Sequence, residues 1–132
     1  MKTSPLDVIT YGEAMTMFVA NETGELDQAM QFTKRIAGAE LNVSIGLSRL
    51  GMNVGWVSRV GNDSFGRFTL ATLQQEGINH QCVTVDERFP TGFQLKSKAE
   101  NGTDPKVEYF RKGSAASHLS VHDFDRAYFS QA

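Results

Sequence analysis

The sequence predicts an α/β domain, a mainly parallel core sheet that carries a small β appendage. Three observations point there. Short β-branched segments alternate with two stretches of helical periodicity that each stop at a glycine. Extended segments of mixed polarity interrupt that alternation. The chain has 132 residues, of which 40% are hydrophobic and 21% charged, enough for one domain with its own core.

The elements follow in order. Leu6–Tyr11 is β-branched and ends at Gly12, as a buried first strand does. Met15–Ala20 reads as a second strand with Met15, Met17 and Val19 on one side and Phe18 opposite. After the polar turn 21–24, alternation over 30–36 suggests a half-exposed strand that pairs with it outside the core. Leu41, Val43, Ile45, Leu47 and Leu50 have helical spacing before Gly51, with Gly46 inside the helix, where a close backbone approach would justify it. The segment 54–60 is apolar on both faces, as suits a strand covered on two sides. A turn at 61–64 caps a second helix over about 65–76, whose Phe65, Phe68, Thr72 and Leu73 are expected in the core. Both helices are expected as crossover connections. Strand candidates then fall at 81–85, 91–98 and 106–111, with Asn101-Gly102 as the turn between the last two. In domain terms the core covers about 6–12 and 41–77, and the appendage about 15–36 and 81–111.

Composition excludes several classes. Thirteen basic and 15 acidic side chains leave a net charge of −2, which offers no general attraction to nucleic acid or anionic membrane. One cysteine, Cys82, precludes an internal disulfide and reads as a small buried hydrophobe. No apolar run approaches the roughly 20 residues of a spanning helix. Pro5 and Asp7 stand where a signal peptide would be apolar, so a cytoplasmic location is expected. His80, His118 and His122 lack metal-site spacing and are expected at the surface.

Two glycine-rich stretches carry candidate chemistry. In Ala37-Gly38-Ala39-Glu40-Leu41-Asn42 a glycine opens a helix, whose free N–H groups suit an oxygen-rich ligand, and Asn42 can donate and accept toward a polyol. A plain turn before a helix explains the same residues equally well. In Gly51–Gly66 glycines bracket a strand, with neither dinucleotide-binding nor P-loop spacing; ordinary α/β punctuation is the alternative.

Together the two stretches resemble the first signature of the PfkB (ribokinase-like) carbohydrate kinases: Gly38-Ala39 with Asn42 shortly after, then Gly51, then Val60-Gly61-Asn62-Asp63-Ser64-Phe65-Gly66. Thr10–Met15 and Pro90-Thr91-Gly92 fit the same family, and almost the whole chain is covered. Within it, Gly12-Glu13, Gly38–Asn42 and Tyr109-Phe110-Arg111-Lys112-Gly113-Ser114 are similar to the 2-keto-3-deoxygluconate kinases. The resemblance implies a three-layer ribokinase-like core with a β-strand lid. It implies ATP-dependent phosphorylation of the 6-hydroxyl of that sugar acid, with Mg2+ as cofactor. It implies a substrate site of Glu13, Gly38, Ala39, Asn42, Gln94, Tyr109 and Arg111, with Arg111 as the bidentate carboxylate ligand; a solvated strand residue is the plain alternative for Arg111. Gln94 stands where the subgroup often has tyrosine and can hydrogen-bond but not stack. Other acceptors of the family (fructose, ribose, a nucleoside) stay open, as does a non-catalytic half-domain that only associates. Dimerisation through the lid strands, aided by Met17 and Phe18, is a further implication. The family's second signature, which carries the catalytic base and most of the nucleotide site, has no match in 1–132, so the chain is expected to be an N-terminal part or a truncated product with no catalytic or ATP residues of its own.

Overall fold

The computed structural model describes residues 5–132. Two sheets organise them. The core sheet is parallel, in the order β1 (Val8–Tyr11), β4 (Val54–Gly61), β5 (Val83–Asp86). The lid sheet has the order β3 (Phe32–Ala37), β2 (Met15–Ala20), β6 (Phe93–Lys96), β7 (Val107–Phe110). Its outer pairs are antiparallel and its central β2–β6 pair is parallel. Helices α1 (Ala39–Arg49) and α2 (Ser64–Gln75) connect the core strands, and a short α3 (Arg126–Phe129) closes the chain.

Strand β4 explains the layering. Its central residues Trp56 and Val57 are fully buried on opposite faces. Trp56 packs with Leu41 of α1, Leu73 of α2 and Ile78. Val57 packs with Leu6 and Tyr128. Each such side chain contributes about 1.5–3 kcal/mol on burial. Burial also pushes the Tyr128 hydroxyl up to about 12; it donates to Asn79 Oδ1 at 2.9 Å. Two helices on one face, the sheet, and the C-terminal segment on the other form the expected three layers.

Four expectations change. The strand read at 81–85 forms as β5 and pairs with β4, so it belongs to the core and not to the lid. β-Branched Val83 and Val85 suit a core edge strand as well as a lid strand, and only pairing separates the two. Phe65 and Phe68 turn from the core to the lid: Phe65 packs edgewise on Phe18, and Lys34 of β3 lies over Phe68. Phe18 is half-buried against Phe65 and Phe93, so only part of its ring is left for the partner contact expected of it. A Cβ at Gly46 would meet nothing within 4 Å, so no close approach explains that glycine. The Asn101-Gly102 turn is present, with φ of 51° and 76° and a Thr103 N–H to Glu100 carbonyl bond of 3.0 Å, but it tips a longer loop.

Core and lid meet at Asp63. Its carboxylate caps α2 by accepting from the Gly66 N–H at 2.8 Å. It also accepts from the Thr91 N–H at 2.9 Å and the Thr91 hydroxyl at 2.8 Å, at the entrance to β6. The Gly61 N–H donates to Thr91 Oγ1 at 2.8 Å, so the threonine hydroxyl is used in both directions. Burial pushes the Asp63 carboxyl up, but the hydrogen bonds from Thr91 and Gly66, with Arg67 nearby, outweigh it and hold the group below its ordinary value. A second anchor is Arg59, which bonds Asp123 at 2.9 Å and Asp86 at 3.1 Å and holds the C-terminal segment on β4. For Asp123 burial likewise acts upward and the bond from Arg59 prevails.

Replacing Asp63→Ala removes a cap and two charge-assisted bonds, with an expected loss of about 2–4 kcal/mol in urea unfolding. Because the folded carboxyls of Asp63 and Asp123 titrate below their unfolded value of 3.8, their stabilisation is complete above that value. It is lost as pH falls through their lower folded values. Unfolding midpoints measured at pH 7, 4 and 3 are expected to drop chiefly in the last interval, and less steeply in Asp63→Asn.

Candidate active site

The link between β1 and β2 is pinned to the core before it contributes any chemistry. The Gly12 N–H donates to the Val57 carbonyl at 3.3 Å, and Ser58 Oγ donates to the Gly12 carbonyl at 2.7 Å. Glu13 follows, with its side chain only 10% exposed. Its Oε1 forms an ion pair with Arg111 Nη2 at 2.8 Å, and its Oε2 accepts from Ser114 Oγ at 2.6 Å. Arg111 leaves the end of β7 and keeps half of its side chain open to solvent. Its guanidinium carbon lies 6.0 Å from the Tyr109 ring centre.

The α1 start approaches from the other side. Gly38 has φ +141°, and a Cβ there would stand 2.7 Å from the Glu13 carbonyl oxygen, so this turn requires glycine twice over. Gly92 is a second such place: a Cβ would lie 2.8 Å from Glu13 Oε2 and 3.2 Å from Arg111 Cβ. Glu13 is thus the point on which the β1–β2 link, the α1 turn, the entrance to β6 and the exit of β7 converge.

A cavity of about 590 Å³ opens here, lined by Glu13, Ala39, Glu40 and Arg111, with Met15 and Phe124 among its apolar walls. A volume of that order accommodates a small organic ligand. Of the residues singled out from the sequence, Glu13, Ala39 and Arg111 line this cavity, and Gly38 stands behind it against the Glu13 backbone. Asn42 is exposed one turn into α1 and is not part of the lining. Gln94 is buried in β6, paired with Met17 of β2 and Tyr109 of β7, and Tyr109 is 58% exposed; both also stand outside the lining. Sequence reasoning missed Glu40 and Ser114. Glu40 stood inside the quoted glycine turn as an acidic residue in a first helical turn, the usual place for a carboxylate that only complements the helix dipole. Ser114 lay in the quoted run after Arg111, with nothing to distinguish it from the small residues beside it.

The charged lining comprises two carboxylates and one guanidinium. Arg111 pairs with Glu13 through Nη2 and retains donors for a ligand oxygen. The carboxylates can accept from hydroxyls. This donor set suits a polyhydroxylated acid. Among the described residues no group of three or more His, Cys, Asp or Glu side chains could hold a metal ion. Cys82 stays a thiol, since burial pushes it up and Asp125 adds to the effect.

Gly92→Ala is expected to push Glu13 and Arg111 apart and to cost about 1–3 kcal/mol, the usual range for overpacking. Urea unfolding reads the stability loss, and the Arg111 Nε–Hε resonance reads the broken pair.

Comparison with known proteins places this geometry. Residues 6–132 match the model of the pfkB family carbohydrate kinases. The chain is 48% identical over 128 residues to the 2-dehydro-3-deoxygluconokinase of Bacillus subtilis (strain 168), covering 96% of this chain and 39% of that protein. It superposes on the crystal structure of a PfkB protein from Polaromonas sp. JS666 with a TM-score of 0.93 at 55% identity, covering 96% of this chain and 42% of that one. It also superposes on a sugar kinase from Pyrococcus horikoshii in complex with ATP, with a TM-score of 0.87 at 27% identity, covering 95% and 40%. The chain therefore spans about two fifths of the length of the relatives it matches. With its ribokinase-like fold and a family match over nearly every residue, it belongs to the pfkB family of carbohydrate kinases.

Proposed function

We propose that this chain forms the acceptor-binding part of a kinase that transfers the γ-phosphoryl group of ATP to the 6-hydroxyl of 2-keto-3-deoxygluconate. One observation carries the reading: the Arg111 guanidinium and the Ala39 turn share one cavity, with Glu13 fixing the arginine in place. The 2-dehydro-3-deoxygluconokinase of Bacillus subtilis, at 48% identity, supports the same substrate class.

In this reading Arg111 grips the sugar carboxylate with the N–H groups that Glu13 leaves free. The remaining oxygens of Glu13 and Glu40 orient hydroxyls. The backbone at Gly38 and Ala39 approaches the sugar closely, with no side chain in the way. Gln94 and Tyr109 reach the acceptor only if the lid sheet closes over the cavity, and Asn42, on α1, only if the sugar extends past the Ala39 turn. Fixing the acceptor in this way contributes several kcal/mol of orientation to the transfer step. ATP, with Mg2+ bridging its phosphates, supplies the phosphoryl group when bound; the ATP complex of the Pyrococcus horikoshii sugar kinase supports its use in the family. No residue of 1–132 is assigned to either. A homodimer through the lid strands is part of the proposal, supported by the exposure of Tyr109 and Phe110 on the edge strand β7. A cytoplasmic location is proposed with it; no described helix is long and apolar enough to cross a membrane.

The test is calorimetric titration of the intact protein with 2-keto-3-deoxygluconate, gluconate and fructose. Tightest binding of the first is expected, and fructose binding as well as the sugar acid overturns the assignment. Arg111→Ala is expected to weaken the sugar acid about 10–100-fold, the scale of a lost charge-assisted pair, and fructose much less. For residues 1–132 alone, a coupled ADP-release assay is expected to show no turnover.

A further inference from the structure

We propose that Ser114 is a positioning residue, which fixes the Glu13 carboxylate and through it the orientation of Arg111 toward the sugar acid; the proposal rests on the kinase reading above. Ser114 is 1% exposed and touches the charge pair from beneath. An ionised Glu13 can only accept, so the Ser114 hydroxyl donates its proton to Oε2. Its oxygen then accepts from the Ser117 N–H at 3.3 Å and caps the 3-10 turn at Ala115–His118. The hydroxyl is used in both directions, which leaves it a single orientation.

The surrounding backbone holds that orientation. The Ser114 N–H donates to the Arg111 carbonyl at 3.1 Å, and the next N–H, of Ala115, donates to the Pro90 carbonyl at 2.7 Å. Its own carbonyl accepts from Ser117 Oγ at 2.6 Å and has His118 Nδ1 at 3.0 Å. The His118 ring stacks on Phe89 with centroids 3.6 Å apart, which fixes the far side of the turn. Arg111 is the most exposed of the three, and it takes its place from the carboxylate that Ser114 immobilises. Ser114 holds Oε2 in the space that Gly92 leaves free of a side chain, while Oε1 faces Arg111. A short loop from Arg111 to Ser114 thus returns the chain to support its own arginine.

The experiment uses Ser114→Ala and the shape-conserving Ser114→Cys, a weaker donor, in the intact protein, alone and combined with Glu13→Ala. Circular dichroism establishes that each variant folds. Affinity for 2-keto-3-deoxygluconate is expected to fall about tenfold in both single variants, as for a lost bond to a charged group, with fructose affinity changed less than twofold. Adding either change to Glu13→Ala is expected to cost nothing further. Without sugar, the Arg111 Nε–Hε group is expected to gain mobility in 15N relaxation in the single variants. Equal losses for both sugars, an undiminished loss in the Glu13→Ala background, or unchanged Arg111 mobility each overturn the proposal. If the wild-type protein does not bind the sugar acid while Arg111 is still released by Ser114→Ala, the substrate assignment fails and the positioning role stands.

Discussion

The junction between core and lid depends on one carboxylate, Asp63. It begins α2, and it receives Thr91 where the chain leaves the core for β6. Every lid residue that reaches the cavity from the C-terminal side follows that point in the chain. Gly66 belongs to the same arrangement, since any side chain on it would run into the Gly61 carbonyl oxygen. The glycine-spaced signature is therefore a mechanical part. It fixes where β6 joins the start of α2, and of the first half the Gly38–Glu40 turn meets the cavity directly.

Glu13 has a complementary task at the other junction between the sheets. Its carboxylate pairs with a lid arginine and accepts from a buried serine while its backbone presses on Gly38. A largely buried carboxylate is tolerated because one oxygen is hydrogen-bonded by Ser114 and the other is paired with a cation. Besides the pair, the charged lining holds a second carboxylate, Glu40. Under the proposed function, discrimination among acceptors rests on how much of Arg111 remains free, and less on the charge of the cavity as a whole.

Much of the fold was legible from local pattern. Strand β2 lies where its alternation places it, and both helices begin and end within about two residues of their periodic runs. Trp56 and Val57, adjacent and both apolar, announced a strand covered on two faces. Pairing was not legible: nothing in Val83–Asp86 distinguishes a core edge from a lid edge. Nor was the direction of Phe65 and Phe68, because helical periodicity marks an apolar face without naming what covers it. At the site, Arg111 and Glu13 were legible through the motif, but their mutual ion pair was not. A sequence presents each as a ligand-binding group and cannot reveal that they first bind each other. Ser114 was invisible for the same reason, its importance arising from a contact across 101 positions of chain.

The parallel pairing of β2 with β6 has a kinetic meaning. These neighbours are separated in sequence by both long helices and two core strands, so closing the lid sheet requires the longest loop in the domain to be ordered first. Local contacts alone suffice for the two antiparallel hairpins and for the α1–β4–α2 unit, whereas the central β2–β6 seam carries the largest loop-closure cost of any strand pairing. A substitution that weakens this seam therefore leaves each hairpin its own local pairing.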